Sequence, residues 1–258
     1  MAVILPSDRI FVSFSCGAAS AVAAKRTLEK NGDYCHVEVY NIPIAEEDED
    51  NRRFLKDVEE WLGVKIRLVT HPNWPTSSAE EIWEHERFMS SPYGAPCTKI
   101  LKKEARQYLE GQEHIDWHVL GFTADEVARH ERFVLTERDN LLPVLIEDGL
   151  TKADCASIVR EAGINLPRAY SMGYPNANCI GCVKATSPTY WNLVRKRHPE
   201  TFERRASQSR RLGARLARYK GERVFLDELP SSAKGKPLKT LDLDCGIFCE
   251  EKPRRTTT

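Results

Sequence analysis

The chain has 258 residues, of which 41% are hydrophobic and 29% are charged, and its formal net charge is zero. This is the composition of an ordinary soluble globular protein with a full core. No apolar run reaches the roughly 18 residues of a membrane span, and the apolar start is too short for a signal peptide. We therefore expect a cytoplasmic protein with no membrane partner.

Strand and helix patterns alternate along the first half of the chain. Buried or alternating β-type runs occupy residues 9–13, 36–40, 64–70 and 117–120. Helical patterns lie between and after them, over residues 18–30, 51–62, 78–88 and 98–109. This alternation predicts an α/β fold, an open and mostly parallel twisted sheet with helices on both faces. We expect this core to span residues 1–150.

The second part of the chain carries mainly helical patterns. One helix is predicted to open at Thr151 and close at Gly163. Another opens at Ser187-Pro188, where serine caps the helix and proline takes its first position. A long helix is predicted over residues 199–220. We expect residues 151–258 to form a helical C-terminal appendage that carries cysteines and a basic helix.

A run of small residues follows the first predicted strand. Small side chains there allow backbone N–H groups and a helix N-terminus to approach a phosphate or sulfate. The run matches neither the dinucleotide-binding glycine motif nor the lysine-bearing P-loop, so a tight turn without a ligand explains it equally well. Cys16 is either a buried small residue or a thiolate stabilised by the helix N-terminus. The candidate loop is Ser15, Cys16, Gly17, Ala18, Ala19 and Ser20.

Five of the eight cysteines fall at three positions, Cys97, Cys179-Ile-Gly-Cys182 and Cys245-Gly-Ile-Phe-Cys249. Without a secretion signal, clustered cysteines indicate metal binding or catalysis before they indicate disulfides. Two thiolates on one short turn can hold a single metal ion or a cluster, and thiolates select zinc or iron–sulfur clusters. A four-cysteine zinc site built from the two pairs stays open at this point. Cys35 and Cys155 fit buried structural positions.

The segment from residue 195 to 223 is strongly basic, with eleven basic and three acidic residues. On the predicted helix, apolar or small residues recur within one narrow arc, and four arginines fall on the opposite side. A solvent-exposed helix face explains such a stripe, but the near absence of acidic residues also suggests contact with RNA or DNA. Tyr190 and Trp191 are candidate stacking groups. The stripe consists of Arg204, Arg211, Arg215 and Arg218.

Several segments, taken in order, resemble the phosphoadenosine phosphosulfate (PAPS) reductase and PP-loop adenine nucleotide alpha-hydrolase superfamily, in its iron–sulfur branch. The resemblance covers about residues 9–185 and a short C-terminal piece. Ala19 stands where ATP-cleaving members carry an aspartate that handles magnesium, so the loop does not predict ATP pyrophosphatase chemistry. The segments are residues 15–20, Pro96-Cys-Thr-Lys99 with Leu101-Lys102, residues 121–126 with Arg129, residues 142–152, Cys179-x-x-Cys182 and Asp244-Cys-Gly-Ile247.

The resemblance implies an adenine-nucleotide-binding core, for ATP, adenylyl sulfate (APS) or PAPS, beside a [4Fe-4S] cluster. Its implied ligands are Cys97, Cys179, Cys182 and Cys249, with Cys245 either the nucleophile that takes sulfur or the fourth ligand in place of Cys249. Glu126 is implied to orient Arg129. The implied phosphate- or sulfate-neutralising residues are Lys99, Lys102, Arg129 and Arg132.

Three functions remain after the sequence alone. The first is a PAPS reductase-like sulfur-transfer enzyme that depends on an adenine nucleotide and acts on a nucleic acid, with an electron or sulfur donor protein as a further partner. The second is a small-molecule PAPS or APS reductase with Cys245 as nucleophile. The third is a non-catalytic module that binds zinc and nucleic acid.

Overall fold

The computed structural model describes residues 3–238, so the candidate cysteines Cys245 and Cys249 lie outside the described residues. The chain divides into two units. One holds the chain up to Pro43, Glu49–Thr70 and Ala105–Arg168, and the other holds Ile44–Asp48, His71–Glu104 and the chain from Ala169. This division into two units does not test the domain boundary predicted at residue 150, which stays a prediction.

The first unit is built on a five-stranded sheet of order β3-β2-β1-β4-β5, and all four neighbouring pairs are parallel. This confirms the open parallel sheet expected from the alternation of patterns. The strand expected at residues 64–70 is shortened because Glu59 binds the backbone N–H of Ile66 at 2.9 Å and ties that segment to the preceding helix. The strands are β1 (Arg9–Ser13), β2 (His36–Asn41), β3 (Arg67–Leu68), β4 (Trp117–Val119) and β5 (Leu141–Leu142).

Helices surround this sheet, and further helices belong to the second unit. None of them, within residues 3–238, has the length and hydrophobicity needed to cross a bilayer. A π-helix, Thr98–Glu104, precedes the fourth α-helix. The α-helices are α1 (Ala18–Asn31), α2 (Asp50–Leu62), α3 (Ala79–Glu86), α4 (Ala105–Gln112), α5 (Val127–Thr136), α6 (Val144–Glu147), α7 (Lys152–Glu161), α8 (Arg168–Ser171), α9 (Pro188–Arg197) and α10 (Pro199–Arg211).

One face of the sheet is apolar. Val12 and Val119 of the central strands are fully buried there and belong to one core with Val22 of α1, Phe54 of α2 and Val159 of α7. β-branched side chains pack well on a pleated surface, which is why these valines favour strand structure. This face therefore supplies most of the hydrophobic stabilisation of the first unit.

The opposite face holds a buried polar layer under α4. Nε2 of His118 on β4 lies 3.4 Å from the carboxylate of Glu110, and Arg106 binds the same carboxylate at 2.7 Å. Burial, together with the positive charge of Arg138, lowers the pKa of His118 to about 3, so its imidazole is neutral. Helices thus cover both faces of the sheet, as predicted.

The second unit has its own apolar core and a small β-hairpin. Trp83 of α3, Trp191 of α9 and Phe202 of α10 are buried together in that core. The hairpin consists of β6 (Ala217–Tyr219) and β7 (Glu222–Val224), which pair in antiparallel fashion.

The helix predicted over residues 199–220 is shorter than expected. It ends at Arg211, since Gly213 adopts a left-handed backbone with φ of 67° and the N–H of Ala214 binds the carbonyl of Ser209 at 2.8 Å. This is a glycine-based helix termination. The helical spacing placed Gly213 among the small positions of a helix face, whereas in the structure it stops the helix. Arg215 and Arg218 consequently lie outside α10.

Candidate functional site

The strand order creates a crevice at the carboxyl edge of the first unit's sheet. The chain leaves β1 through α1 towards β2 on one side, and β4 pairs with β1 on the other side. Ligands of open α/β sheets bind where the strand order reverses in this way. The segments that follow β1 and β4 are the loop of residues 15–20 and the segment of residues 121–129. The predicted phosphate loop therefore falls at the position where a ligand is expected.

Ser20 organises this loop. Its Oγ accepts a hydrogen bond from the backbone N–H of Ser15 at 3.1 Å and donates one to the carbonyl of Gly17 at 3.0 Å. Gly17 is the N-cap of α1 and caps it with no side-chain hydrogen bond. The N–H groups and positive dipole end of this 14-residue helix consequently face the loop without a capping oxygen, as anion binding requires.

Cys16 is buried in the loop rather than presented to a ligand. It is 2% exposed, and its Sγ lies 3.7 Å from both the carbonyl of Asn51 and the side-chain nitrogen of Asn41. Its backbone is left-handed, with φ of 55°. This surrounding favours the structural interpretation of Cys16 over the nucleophilic one.

Gly121, just after β4, allows the two segments of the crevice to touch. A Cβ atom at this position would lie 2.9 Å from the backbone nitrogen of Ser20 and 3.1 Å from the carbonyl carbon of Ala19. Both neighbours are backbone atoms at the start of α1 and cannot move aside cheaply. Only glycine fits there without displacing the loop.

Replacement of Gly121 with alanine is expected to lower the free energy of unfolding by about 1–3 kcal/mol, because the new methyl group overpacks the start of α1. Gly111 in α4 is the matched control, since a Cβ there meets nothing within 4 Å. Gly111→Ala should raise stability by about 0.5–1 kcal/mol. Equal stability of the two variants in urea would refute the close approach.

Glu126 holds Arg129 at the same edge of the first unit. Its carboxylate lies 2.8 Å from Nη1 of Arg129 and 3.2 Å from Nζ of Lys152. Burial opposes ionisation of Glu126, but the charges of Lys152 and Arg129 outweigh it and lower the pKa of the carboxyl group. The expected orientation of Arg129 by Glu126 matches these contacts. Arg132, one turn further along α5, is exposed.

In the second unit, three of the predicted cysteine ligands line one small cavity. Cys97 precedes the π-helix, and Cys179 and Cys182 lie on the turn before α9. All six described cysteines are thiols rather than disulfides. Two lysines, Lys102 and Lys184, line the same cavity and supply positive charge beside the thiols. Residues distant in sequence are thus brought together as the cysteine spacing suggested.

The Cys179–Cys182 turn is fixed by its surroundings. The hydroxyl of the buried Tyr190 accepts a hydrogen bond from the N–H of Cys182 at 2.8 Å and donates one to the carbonyl of Cys179 at 3.4 Å. Gly181 has a left-handed backbone with φ of 73°, which lets the turn reverse between the two cysteines. Tyr190 therefore serves the cysteine turn, and its burial and that of Trp191 contradict their predicted role as exposed stacking groups.

Arg205 is the second group that holds this turn. It is fully buried, donates from Nε to the carbonyl of Gly181 at 3.2 Å, and binds Glu80 of α3 at 3.1 Å. Its guanidinium lies 4.2 Å from the ring centre of Trp83, which also lines the cysteine cavity. Burial lowers the pKa of Arg205, and the carboxylate of Glu80 opposes that shift. The sequence offered no signal for Arg205, because it is one basic residue among eleven in its segment.

The donor set consists of thiols with positive charge beside them. Cys97, Cys179 and Cys182 line the cavity together with Lys102 and Lys184. Thiolates select zinc or iron–sulfur clusters, and an iron–sulfur cluster is held by cysteines distributed over several irons. The residue types around this cavity therefore fit a negatively charged, thiolate-bound centre.

The two lysines assigned to phosphate binding have different surroundings. Lys99 is exposed on the π-helix. Lys102 is buried, lines the cysteine cavity, and lies 3.6 Å from the carboxylate of Glu47. The structure thus places Lys102 with the cysteines.

The predicted arginine stripe is split between two elements. Arg204 and Arg211 remain on α10, but they lie 3.6 Å and 2.6 Å from carboxylates of Glu80 and Glu84 on α3. The sequence of α10 alone suggested that the stripe had no acidic neighbours. In the structure, α3 supplies them. Arg215 lies just before the hairpin, and Arg218 lies in its first strand, β6.

Comparisons with known proteins find likenesses among solved structures and no match by sequence. No protein-family model matches the sequence, and no curated protein sequence matches it. Among solved structures, the chain is similar to the U34-tRNA thiolase NcsA from Methanococcus maripaludis with its [4Fe-4S] cluster, at 13% sequence identity and a TM-score of 0.49. The likeness covers 95% of this chain and 84% of that chain. At this level it identifies neither a family nor an activity.

Proposed function

We propose that this protein is an iron–sulfur enzyme that transfers sulfur to a nucleic acid with the help of an adenine nucleotide. The observation that carries the proposal is the convergence of Cys97, Cys179 and Cys182 on one cavity lined by Lys102 and Lys184. A small-residue loop at the sheet's switch point in the first unit supports nucleotide binding. The basic segment of the second unit supports a polyanionic acceptor.

Cys97, Cys179 and Cys182 would hold a [4Fe-4S] cluster, with the fourth position taken by Cys249 or Cys245. Such a cluster supplies iron sites at which sulfide can be bound and delivered. Tyr190 and Arg205 fix the carbonyls of Cys179 and Gly181, which holds the two thiols of the turn in one orientation. Lys102 and Lys184 would offset the negative charge of the thiolates.

The adenine nucleotide would bind at the first unit. The N–H groups at the start of α1 and the hydroxyls of Ser15 and Ser20 would donate to its phosphates. Arg129, held by Glu126, would neutralise phosphate charge. Replacement of an acceptor oxygen by sulfur breaks a C–O bond and forms a C–S bond. ATP would adenylate this oxygen with release of pyrophosphate, and the oxygen would then leave as part of AMP. Because Ala19 offers no carboxylate for magnesium, this step would take place without a loop aspartate. No electrons are exchanged, since sulfur enters as hydrosulfide.

The reaction class is tested by anaerobic incubation of the reconstituted protein with sodium sulfide, ATP and an unmodified tRNA transcript. A thionucleoside in the nuclease digest, formed only with ATP, is the expected product in mass spectrometry. ADP in place of ATP is the control for nucleotide binding without adenylation.

The competing functions predict other products. Release of sulfite from PAPS or APS, with loss of that release in Cys245→Ser, would replace the proposal with a sulfonucleotide reductase. The pattern Asp244-Cys-Gly-Ile247 is the feature that favours that second candidate. A colourless protein with zinc and no turnover of any of these nucleotides would make it a binding module.

A further inference from the structure

The β6–β7 hairpin of the second unit presents basic side chains on a rigid ribbon. Its two-residue turn, Lys220-Gly221, has positive φ at both positions, 47° and 88°. That is the geometry of a type I′ turn, whose twist matches that of the flanking strands. The backbone N–H of Arg218 also binds the carbonyl of Thr186 at 2.8 Å and fastens the hairpin to the segment before α9. The ribbon is therefore a defined surface.

Two arginines face each other across this ribbon. Arg218 pairs directly with Arg223 in the antiparallel register. Directly opposed residues hold their Cβ atoms about 4.5–5.5 Å apart, and like charges at that separation destabilise a sheet. Burial lowers the pKa of Arg223, and the charge of Arg218 lowers it further. Nη1 of Arg223 also donates a hydrogen bond to the carbonyl of Leu216 at 3.0 Å, so this guanidinium is held in place on the ribbon, while Arg218 is exposed.

No carboxylate of residues 3–238 forms an ion pair with the four basic residues in and just before the hairpin, Arg215, Arg218, Lys220 and Arg223. The neighbouring arginines of α10 differ in this respect, since Arg204, Arg210 and Arg211 each have an acidic partner. From Arg215 to Val224 there are four basic residues and a single acidic one, Glu222. Within residues 3–238, the arginines of α10 named above are therefore paired with carboxylates, whereas the basic residues in and just before the hairpin are not.

We propose that this hairpin, through Arg218, Lys220 and Arg223 and together with Arg215 just before it, is the surface that binds the phosphodiester backbone of the nucleic-acid substrate. This inference rests on the proposed function and moves the nucleic-acid contact from the basic helix to the ribbon. Phosphates placed between Arg218 and Arg223 relieve the repulsion across the strands. Backbone phosphates occur at regular spacing, so a row of guanidinium and ammonium groups on one ribbon suits them.

The test is the affinity of the full-length protein for a fluorescein-labelled tRNA transcript over a series of salt concentrations. Arg218→Glu is expected to weaken binding roughly tenfold or more and to lower the slope of log affinity against log salt by about one. Two variants on helix α10 are the matched controls. Arg204→Glu changes the charge as Arg218→Glu does, and Arg211→Gln changes it as Lys220→Gln does, so both should bind like the unaltered protein. Lys220→Gln, in the exposed turn, should weaken binding without touching the strands.

Several outcomes overturn the inference. They are an unchanged salt slope in Arg218→Glu and Lys220→Gln, a larger loss in the α10 controls, or no binding of tRNA by the unaltered protein. Preference for anionic lipid vesicles or an acidic protein over tRNA also overturns it. The proposed function fails separately, through absence of iron and sulfide or of thionucleoside, and these measurements do not depend on hairpin variants.

Discussion

Arg205→Met is expected to lower the free energy of unfolding by about 3–5 kcal/mol, the usual cost of breaking a buried ion pair. Arg205 is 0% exposed and has three partners, the carbonyl of Gly181, Gln208 and Glu80. Methionine fills much of the same space but donates no hydrogen bond. The variant therefore leaves the carbonyl of Gly181 and part of the carboxylate charge of Glu80 without their buried donor.

The control for this prediction is Arg211→Met on the same helix. Its ion pair with Glu84 is largely exposed, at 58% and 37% of the two side chains, so its loss should cost no more than about 1 kcal/mol. Thermal and urea unfolding compare the two variants. The Arg205 variant should also hold less iron than Arg211→Met, because the Cys179–Cys182 turn loses one of its two side-chain clamps. Similar stability and iron content in both variants would show that Arg205 does not position the turn.

The second large effect concerns the thiols themselves. Serine at Cys97, Cys179 or Cys182 is expected to remove most of the bound iron and acid-labile sulfide, since a hydroxyl is a poor ligand for iron in such clusters. Cys155→Ala is the control, because Cys155 is a buried thiol in the core of the first unit. It should lose some stability and keep its iron. If the Cys97 variant retains full iron while the other two lose it, Cys97 lines the cavity without being a ligand.

The sequence predicted the sheet well for a physical reason. Residues 10–13 are buried on both faces of the parallel sheet, so their apolar content is high. In residues 36–40 only Val39 and Tyr40 are buried, and the strand signal is the alternation of β-branched residues. The grouping of Cys97 with Cys179 and Cys182 was implied by the family resemblance, whereas the spacing alone also allowed a zinc site made of the two later cysteine pairs. In both cases the sequence pattern lies in the residues that form the strands or line the cavity.

Features that depend on partners from elsewhere in the chain were not predictable in this way. The arginines of α10 looked unpaired from their own helix, but Glu80 and Glu84 come from α3, over a hundred residues earlier. Arg205 looked like its basic neighbours, and only burial against Trp83 distinguishes it. Gly213 fitted the helical spacing, and its left-handed backbone is what ends the helix.

The central claim is tested most directly by the metal content of the unaltered protein purified without oxygen. We predict a brown protein with about four irons and a matching amount of acid-labile sulfide per chain, and an absorption band that bleaches on reduction. One zinc per chain, with no iron and no sulfide after anaerobic reconstitution, would contradict the account.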